Sequence, residues 1–537
     1  TVTIERAKKG EVDGLLVFGQ NIAVTNPNTG WGRTAIRNLK WLVVCDLFEN
    51  ETASVWYADP NGPKPSEVQT EVFYLPTNSC LEKDGSVSNT ERLMQWHDRI
   101  KEAPGECRSD AWWTYQLGKR LKALAETSGL PRDEGLRSLT WSYDMPQGKQ
   151  NEMGLPPIEG DCDLDAVAYE MNGFDMVTGK PIQGSGELKS DGTTACGCHS
   201  QPSGCRLLAG FINEAGENLT KRRDGGTVDH ELDLTYRFAW PTNSRILYNR
   251  CSAAPDGKPW SERKKLVWWD EIEQKWVGYD KPQFDATKPP SYRPAPDAKG
   301  GAALDGTAAF GAHSDGKAWL FVPYGIKEGP FPVFYESVES PYTNTLWSTS
   351  RVPDVTIIDD PMNKVTEPGD PNFPTVMTTY HMVEHWMSGS MTRTIPWLVG
   401  LQPRSFIEIS PELAESIGVT TGGYVSVKSP RNEIQVRALV TPRLRIGVIE
   451  GRQASIAGRF VCSGYKGIVC DPITNDLSPA DMAGDGLIPS SKSFVVKIDK
   501  PDMSKVEKFN EYPVEYPAGM SEPIPDTPWA AQPEERN

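Results

Sequence analysis

The stretches GLLVFGQN at residues 14–21 and WLVVCD at residues 41–46 decide the fold of this chain. Each is a short apolar run that ends in polar residues, and residues 33–39 between them have a helical pattern. A third apolar run, residues 72–75, ends before a proline. This alternation of strand, helix and strand predicts an α/β fold in which a parallel sheet carries helices on its faces.

The carboxyl ends of these strands are the expected binding region, because ligands of such sheets bind beyond them. Binding residues are therefore expected at residues 19–21, at residues 46–52 and from Thr77 onward. Taken singly, Gly19 would be only a turn residue and Asp46 only a loop cap. Their placement at successive strand ends favours binding.

The sequence pattern divides the chain at about residues 150, 370 and 500. Residues 1–150 hold the sheet and, at 91–130, apolar positions at three- and four-residue steps that predict helices packed on it. Residues 151–370 are rich in Gly, Pro, Asp and Trp and predict an irregular insertion. Residues 371–500 contain regularly spaced apolar runs that predict a compact β-barrel, and residues 501–537 are a proline-rich tail. The expected barrel strands include residues 406–409, 424–427, 434–440 and 494–498.

Composition excludes several classes of function. The 537 residues carry a formal charge of −16, which argues against a nucleic-acid surface because phosphate binding needs clustered Lys and Arg. The apolar runs are far shorter than the roughly 20 residues that cross a bilayer, and no signal peptide is visible. Ten cysteines do not make a disulfide scaffold. One local group has residue types that could bind zinc or iron, although its spacing favours an ordinary loop: Cys196, Cys198, His199 and Cys205.

Longer blocks of sequence carry a family resemblance. Gly19–Asn21 and the run Asp46, Phe48, Thr52 fit the patterns G-x-[ND] and D-x-F-x-x-x-T-A, and residues 238–250 read FAWPTNSRILYNR. Residues 380–397 read YHMVEHWMSGSMTRTIPW. With these blocks the chain resembles the large subunits of molybdopterin-dependent oxidoreductases of the dimethyl sulfoxide reductase type, and most closely the C-terminal half of respiratory formate dehydrogenases.

The resemblance implies a fold and a cofactor. It implies a Rossmann-like dinucleotide-binding domain at residues 1–150 and a six-stranded double-psi β-barrel at residues 371–500 that binds molybdopterin dinucleotide. The cofactor implied is bis-molybdopterin guanine dinucleotide with molybdenum or tungsten. The resemblance assigns cofactor contacts to Gly19, Gln20, Asn21, Asp46, Leu47, Phe48, Thr52, His381, His385, Trp386, Met387, Met391, Thr392, Asn475 and Lys492.

The resemblance also implies partners, because the family's four-cysteine [4Fe-4S] motif and its Sec or Cys metal ligand are not found in this sequence. We therefore expect no catalytic residue and no metal ligand in this chain. A second polypeptide corresponding to the N-terminal half of the large subunit would carry them, and an iron–sulfur subunit would take the electrons from formate. The location implied by analogy is periplasmic, with cytoplasmic as the alternative.

Three other functions are compatible with the sequence. A related molybdopterin oxidoreductase of the nitrate reductase kind would share the same cofactor residues, although residues 240–250 favour formate. A non-catalytic scaffold that binds the cofactor would share them too. A metal protein built on Cys196 and its neighbours is the weakest alternative.

Overall fold

The structure, a computed structural model, forms two compact units. The first contains Thr1–Thr77 and Val322–Asn537, and the second contains Asn78–Phe321, so the boundary at Asn78 falls inside the region predicted as residues 1–150. The residues that the structure describes are 1–59, 62–88, 93–139, 141–184, 187, 194–195, 208–222, 237–239, 253–259, 261–263, 267–278, 287–303, 305–306, 337–343, 355–380, 382–402, 404–444, 446–449, 452–458, 472–482, 488–489 and 492–506.

The first unit begins with the predicted parallel sheet. Its order is β1-β2-β3, and the registers of both strand pairs are parallel. The expected alternation of strand, helix and strand is therefore confirmed. The elements are α1 (Val2–Lys8), β1 (Gly14–Phe18), α2 (Ile22–Thr25), α3 (Thr29–Ile36), β2 (Trp41–Asp46) and β3 (Glu71–Pro76).

The two faces of this sheet differ in burial. Strand residues Val17, Leu42 and Val44 are buried against α1 and α3, where Trp31 and Ile36 complete the core. Side chains alternate between faces along a strand, so the next positions point the other way.

On that second face Leu16 pairs with Val43, which pairs with Phe73, and both Leu16 and Phe73 are exposed. We call these three residues the open face.

In its described residues the second unit holds short strands and helices, and it corrects one prediction. Residues 93–97, expected to be helical, form a strand in which Met94 and Trp96 are buried. The apolar steps fitted a helix, but Pro104 and Gly105 separate them from the real helix, which begins after the Ser109 cap. The elements are β4 (Gly85–Ser88), β5 (Leu93–His97), α4 (Asp110–Thr127), α5 (Glu134–Arg137), α6 (Leu164–Asn172), β6 (Phe174–Asp175), β7 (Thr194–Ala195), β8 (Phe238–Ala239), β9 (Val267–Asp270) and β10 (Lys275–Gly278).

The first unit ends in a curled mixed sheet. Seven strands run in the order β12-β19-β14-β15-β13-β17-β16, and β12 also pairs with β17, so six of them close a ring of pairings. All four strands expected from the apolar runs are present. The elements are β11 (Thr356–Ile357), β12 (Thr375–Thr378), α7 (Pro396–Leu401), β13 (Phe406–Ile409), α8 (Pro411–Ile417), β14 (Tyr424–Lys428), β15 (Glu433–Val440), β16 (Ile446–Ile449), β17 (Arg452–Gly458), β18 (Asp481–Met482) and β19 (Ser493–Asp499).

Candidate functional site

The loop after β1 combines an exposed turn with a buried asparagine. Gly19 has φ +59° and open space where a side chain would be, and Gly19 and Gln20 are exposed. Asn21 is buried, and its Oδ1 accepts from the Thr52 backbone N–H at 3.2 Å and from the Thr52 hydroxyl at 3.0 Å. The Gly19 N–H donates to the Cys45 carbonyl at 2.9 Å, so the turn is exposed mainly through the open side of Gly19 and through Gln20, while the Asn21 side chain is used within the protein.

The loop after β2 is organised around the carboxylate of Asp46. Asp46 is buried, and its two oxygens accept from the Leu47 N–H at 2.7 Å and from Asn50 Nδ2 at 2.6 Å. Thr52 Oγ1 accepts from the Ala23 N–H at 3.1 Å, which fixes this loop to the start of α2.

Residues 382–395 meet both of these loops. Asn21 Nδ2 donates to Glu51 Oε2 at 2.5 Å and to Ser388 Oγ at 3.3 Å. Arg393 forms an ion pair with Glu51 at 2.7 Å, and both side chains are almost fully buried. The structure thus brings together three segments that the sequence analysis chose separately.

Sequence reasoning did not predict the pairing of Glu51 with Arg393 or the contact of Asn21 with Ser388. Glu51 and Arg393 are 342 positions apart, so no local pattern could reveal their pairing. The available signal was weak: each is a polar residue next to one that the resemblance did select.

His385 and Thr392 hold the 382–395 segment in shape. His385 Nε2 lies 2.7 Å from the Gln402 carbonyl oxygen, which only accepts, so this nitrogen carries the proton. Its Nδ1 then accepts from the Thr392 hydroxyl at 3.1 Å, and that oxygen accepts from the Trp386 N–H at 3.2 Å. Burial lowers the pKa of His385 below the usual histidine value, so the ring is neutral at pH 7.

Apolar side chains with exposed surface flank the buried cluster. Phe48, Trp386 and Met387 are exposed, and Leu47 and Met391 are partly buried. Met387 has φ +52°, a conformation that costs a non-glycine residue about 1 to 3 kcal/mol and that concentrates at functional sites. Exposed aromatic and thioether groups beside buried polar groups are typical of a binding surface for a flat ligand.

Asn475 and Lys492, the last two residues that the resemblance assigned to the cofactor, contact different segments of the first unit. Asn475 Nδ2 donates to the carbonyls of Val24 and Thr25, both at 3.0 Å, so it fastens its segment to α2. Lys492 is exposed and donates to Thr379 Oγ1 at 3.3 Å, two residues before His381. His381 itself lies outside the described residues.

The first unit also contains a cavity away from the residues described above. It measures about 720 Å³ and is lined by residues of α3, β14 and β15. Arg33 pairs there with Asp59 and with Asp476, each at 3.0 Å, and Arg37 also pairs with Asp59. The lining also contains Arg404, Arg431 and Arg437, and it contains none of the residues that the resemblance assigned to the cofactor.

The metal alternative built on Cys196 and its neighbours is not tested by the part of the chain that the structure describes. No group of three or more His, Cys, Asp or Glu side chains there is arranged to hold a metal ion. The loop from Cys196 to Cys205 and residues 240–250 lie outside that part. Across the described helices, none combines the length and the apolar character that crossing a bilayer requires.

Comparison with known proteins decides the family. Residues 1–120 match the model of the molybdopterin oxidoreductase domain, and residues 375–471 match that of the molydopterin dinucleotide binding domain. The chain belongs to the molybdopterin oxidoreductase family. The two matches contain the β1 and β2 loops and the 382–395 segment.

Curated relatives of this family member are formate dehydrogenase large subunits. The formate dehydrogenase-O major subunit of Escherichia coli (strain K12) is 31% identical over 92% of the chain, and formate dehydrogenase 2 subunit alpha (cytochrome c-553) of Nitratidesulfovibrio vulgaris is 32% identical over 93%. The assimilatory nitrate reductase catalytic subunit of Bacillus subtilis (strain 168) matches only 31% of it. The chain spans about half the length of the formate dehydrogenase relatives, 47% in both cases.

Proposed function

We propose that this chain forms one side of the site for a molybdopterin guanine dinucleotide in a formate dehydrogenase. The observation that carries the proposal is the hydrogen bonding of Asn21, which joins the β1 loop to Glu51 and Thr52 of the β2 loop and to Ser388. These loops follow successive parallel strands, where dinucleotides bind in sheets of this kind.

The residues present fit such a ligand. The turn at Gly19 suits a pyrophosphate, because a residue without a side chain leaves the approach to the end of β1 free. Asp46 can accept hydrogen bonds from a guanine or ribose. Trp386 and Met387 would cover the flat pterin, and the resemblance assigns Lys492 to the same ligand.

The buried polar residues have a different role in this proposal. Asn21, Thr52, His385, Thr392 and Asn475 make their side-chain hydrogen bonds within the protein. They position the loops that touch the cofactor. Cofactor contact through their side chains remains a prediction from the resemblance.

The bound cofactor, with molybdenum or tungsten, would supply the two-electron chemistry that interconverts formate and carbon dioxide. This chain would bind and orient it and exclude water. The proposal includes no catalytic residue here and assigns the metal ligand and the iron–sulfur clusters to polypeptide outside these 537 residues. The relatives' coverage favours formate over nitrate as substrate, because the nitrate reductase aligns with less than a third of the chain.

The open face supports the existence of such a partner. Parallel sheets are normally covered on both faces, yet Leu16 and Phe73 are exposed around Val43. We propose that the part of the large subunit beyond this chain covers it. An interface of that kind should be obligate in size, above about 2,000 Å².

The experiment that tests the proposed site replaces Asp46 in the natively purified complex. Asp46→Ala removes a charged acceptor worth about 1.5 to 3 kcal/mol, so pterin and metal content should fall by roughly tenfold or more. Asp46→Asn should give a smaller loss. The readouts are metal analysis, guanine dinucleotide release and formate-dependent dye reduction.

Asp13→Ala is the matched control, because Asp13 is an exposed carboxylate before the opposite end of β1. It should retain full cofactor content. Equal cofactor content in Asp46→Ala and Asp13→Ala would contradict the assigned site. Full metal content without formate oxidation would favour the scaffold alternative.

A further inference from the structure

The second unit buries an arginine whose side chain makes no hydrogen bond with the described residues. Arg99 follows β5 and is only 2% exposed, yet its Nε, Nη1 and Nη2 all lack a hydrogen-bond partner. The nearest carboxylate oxygen recorded is Glu102 Oε2, 3.8 Å from Nη1, on a side chain that is mostly exposed. A guanidinium always carries its charge, and buried charges in proteins are normally paired and hydrogen-bonded.

The guanidinium lines a small cavity within the same unit. Its volume is about 110 Å³, which is room for about three or four water molecules at about 30 Å³ each. The Arg99 backbone is held firmly: its N–H donates to Asp84 at 2.7 Å, and its carbonyl accepts from Asn151 at 3.0 Å. The side chain is therefore presented to the cavity by a fixed backbone.

Several carboxylates line the cavity, but other groups already bind them. Asp84 Oδ1 also accepts from Asn151 at 2.9 Å. Asp165 pairs with Lys149 at 2.8 Å and with Lys221 at 3.1 Å, and Asp163 pairs with Lys149.

The other acidic side chains of the cavity lining have hydrogen-bond or ion-pair partners, have a raised pKa, or are exposed to solvent. Glu82 accepts from the Ser79 N–H and pairs with Lys101, and Asp98 accepts from Trp96 Nε1. Asp161 accepts from the Ile158 N–H, and burial raises its pKa, which weakens it as a counter-charge. Glu152 is exposed to solvent.

A buried acceptor lines the same cavity. Asn78 is 3% exposed, and its Oδ1 has no hydrogen-bond partner, whereas its Nδ2 donates to the Glu82 carbonyl at 2.8 Å. Arg99 offers donors in a planar fork, and Asn78 offers one acceptor. A ligand that satisfies both has two coplanar oxygens and a hydroxyl.

We propose that Arg99 anchors a binding site for a small planar oxyanion of the carboxylate type within the second unit. The guanidinium fork matches two coplanar oxygens. Hydrogen carbonate also donates its hydroxyl to Asn78, which formate cannot do. The choice of one-carbon ligands rests on the proposed function, whereas the site itself rests on Arg99 and its cavity.

The test is a titration of the full chain, without added pterin, with ¹³C-labelled hydrogen carbonate, ¹³C-labelled formate, inorganic phosphate or chloride at matched ionic strength. Binding is followed by carbon line broadening, by phosphorus line broadening or by calorimetry. The expected dissociation constant is on the order of 1 mM for hydrogen carbonate, as befits a ligand of a few atoms. Arg99→Gln should weaken it at least tenfold, and Arg99→Lys by less.

Arg120→Gln, an exposed arginine on α4, is the matched control and should leave the affinity unchanged. Tighter binding of hydrogen carbonate than of formate supports the complete site, and equal binding supports the Arg99 anchor but overturns the Asn78 contact. Binding of neither ion, equal binding of phosphate or chloride, or binding that survives Arg99→Gln overturns the proposal. Because no pterin is needed, these results are independent of whether the dinucleotide site is correct.

Discussion

At the scale of the residue, the side chains that looked most like ligand contacts serve largely to build the loops. His385 illustrates this, because both ring nitrogens are used, by the Gln402 carbonyl and the Thr392 hydroxyl. Asn21 is likewise engaged on both sides of its amide. The exposed surfaces of these loops include the turn at Gly19 and Gln20 and the apolar side chains of Phe48, Trp386 and Met387.

His385 gives a prediction of pH dependence. Burial lowers its pKa from the ordinary value of 6.5, so protonation favours the opened segment. The stability of the 382–402 segment should therefore be complete above pH 6.5 and should decline as the pH falls from 6.5 toward the folded-state pKa. Hydrogen exchange, corrected for intrinsic rates, should show this decline.

His385→Gln should flatten that decline, whereas His97→Gln, in the second unit, should leave it unchanged. A decline of equal steepness in His385→Gln would show that another group controls the segment. The pKa of His97 is also lowered by burial, so it is a matched control for general effects of acid.

At the scale of the element, the sequence predicted strands well and some helices poorly. The apolar runs located β1, β2 and β3 to within one residue, because a buried parallel strand is a continuous apolar run. Residues 93–97 misled the helical interpretation, since their apolar spacing fits either period and only the burial of Met94 and Trp96 distinguishes them. The links between elements could not be predicted, because Asn21 and Ser388 are 367 positions apart.

The buried pair of Glu51 and Arg393 is one such link and gives a stability prediction. Arg393→Met should destabilise the first unit by about 3 to 5 kcal/mol, because it leaves the Glu51 charge buried without compensation. Glu51→Gln combined with Arg393→Met should recover part of that loss. Urea unfolding of the four proteins of the double-mutant cycle measures the coupling.

Lys40→Met is the control, because the pair of Lys40 and Asp13 is largely exposed and should contribute less than about 1 kcal/mol. Additive effects of the two substitutions, with no recovery in the double variant, would show that the ion pair does not hold the loops together.

At the scale of the whole molecule, the open face exposes apolar side chains on one side of the parallel sheet. Its three residues form one row across β1, β2 and β3. The α/β class was predicted from the sequence, but the open face was not, because apolar alternation shows which residues avoid water and not which partner covers them.

Substitutions on the open face should disrupt assembly. Leu16→Asp and Phe73→Asp place a charge in the proposed interface and should each reduce recovery of the rest of the enzyme with this chain by at least tenfold. Val177→Asp, at an exposed apolar position of the second unit, should not. Co-purification measures assembly, and circular dichroism of each variant shows whether it is folded. Together they distinguish a loss of assembly from a loss of folding. Full recovery with both open-face variants would place the interface elsewhere.

A cryo-electron microscopy map of the natively purified complex would show most directly whether a pterin dinucleotide binds at the ends of β1 and β2. We expect the map to show a pterin dinucleotide within hydrogen-bond distance of the Gly19–Gln20 backbone and of Asp46, with Met387 in contact with it. A dinucleotide in the cavity beside Arg33 and Asp476, or a map with no such molecule at the ends of β1 and β2, would contradict this expectation.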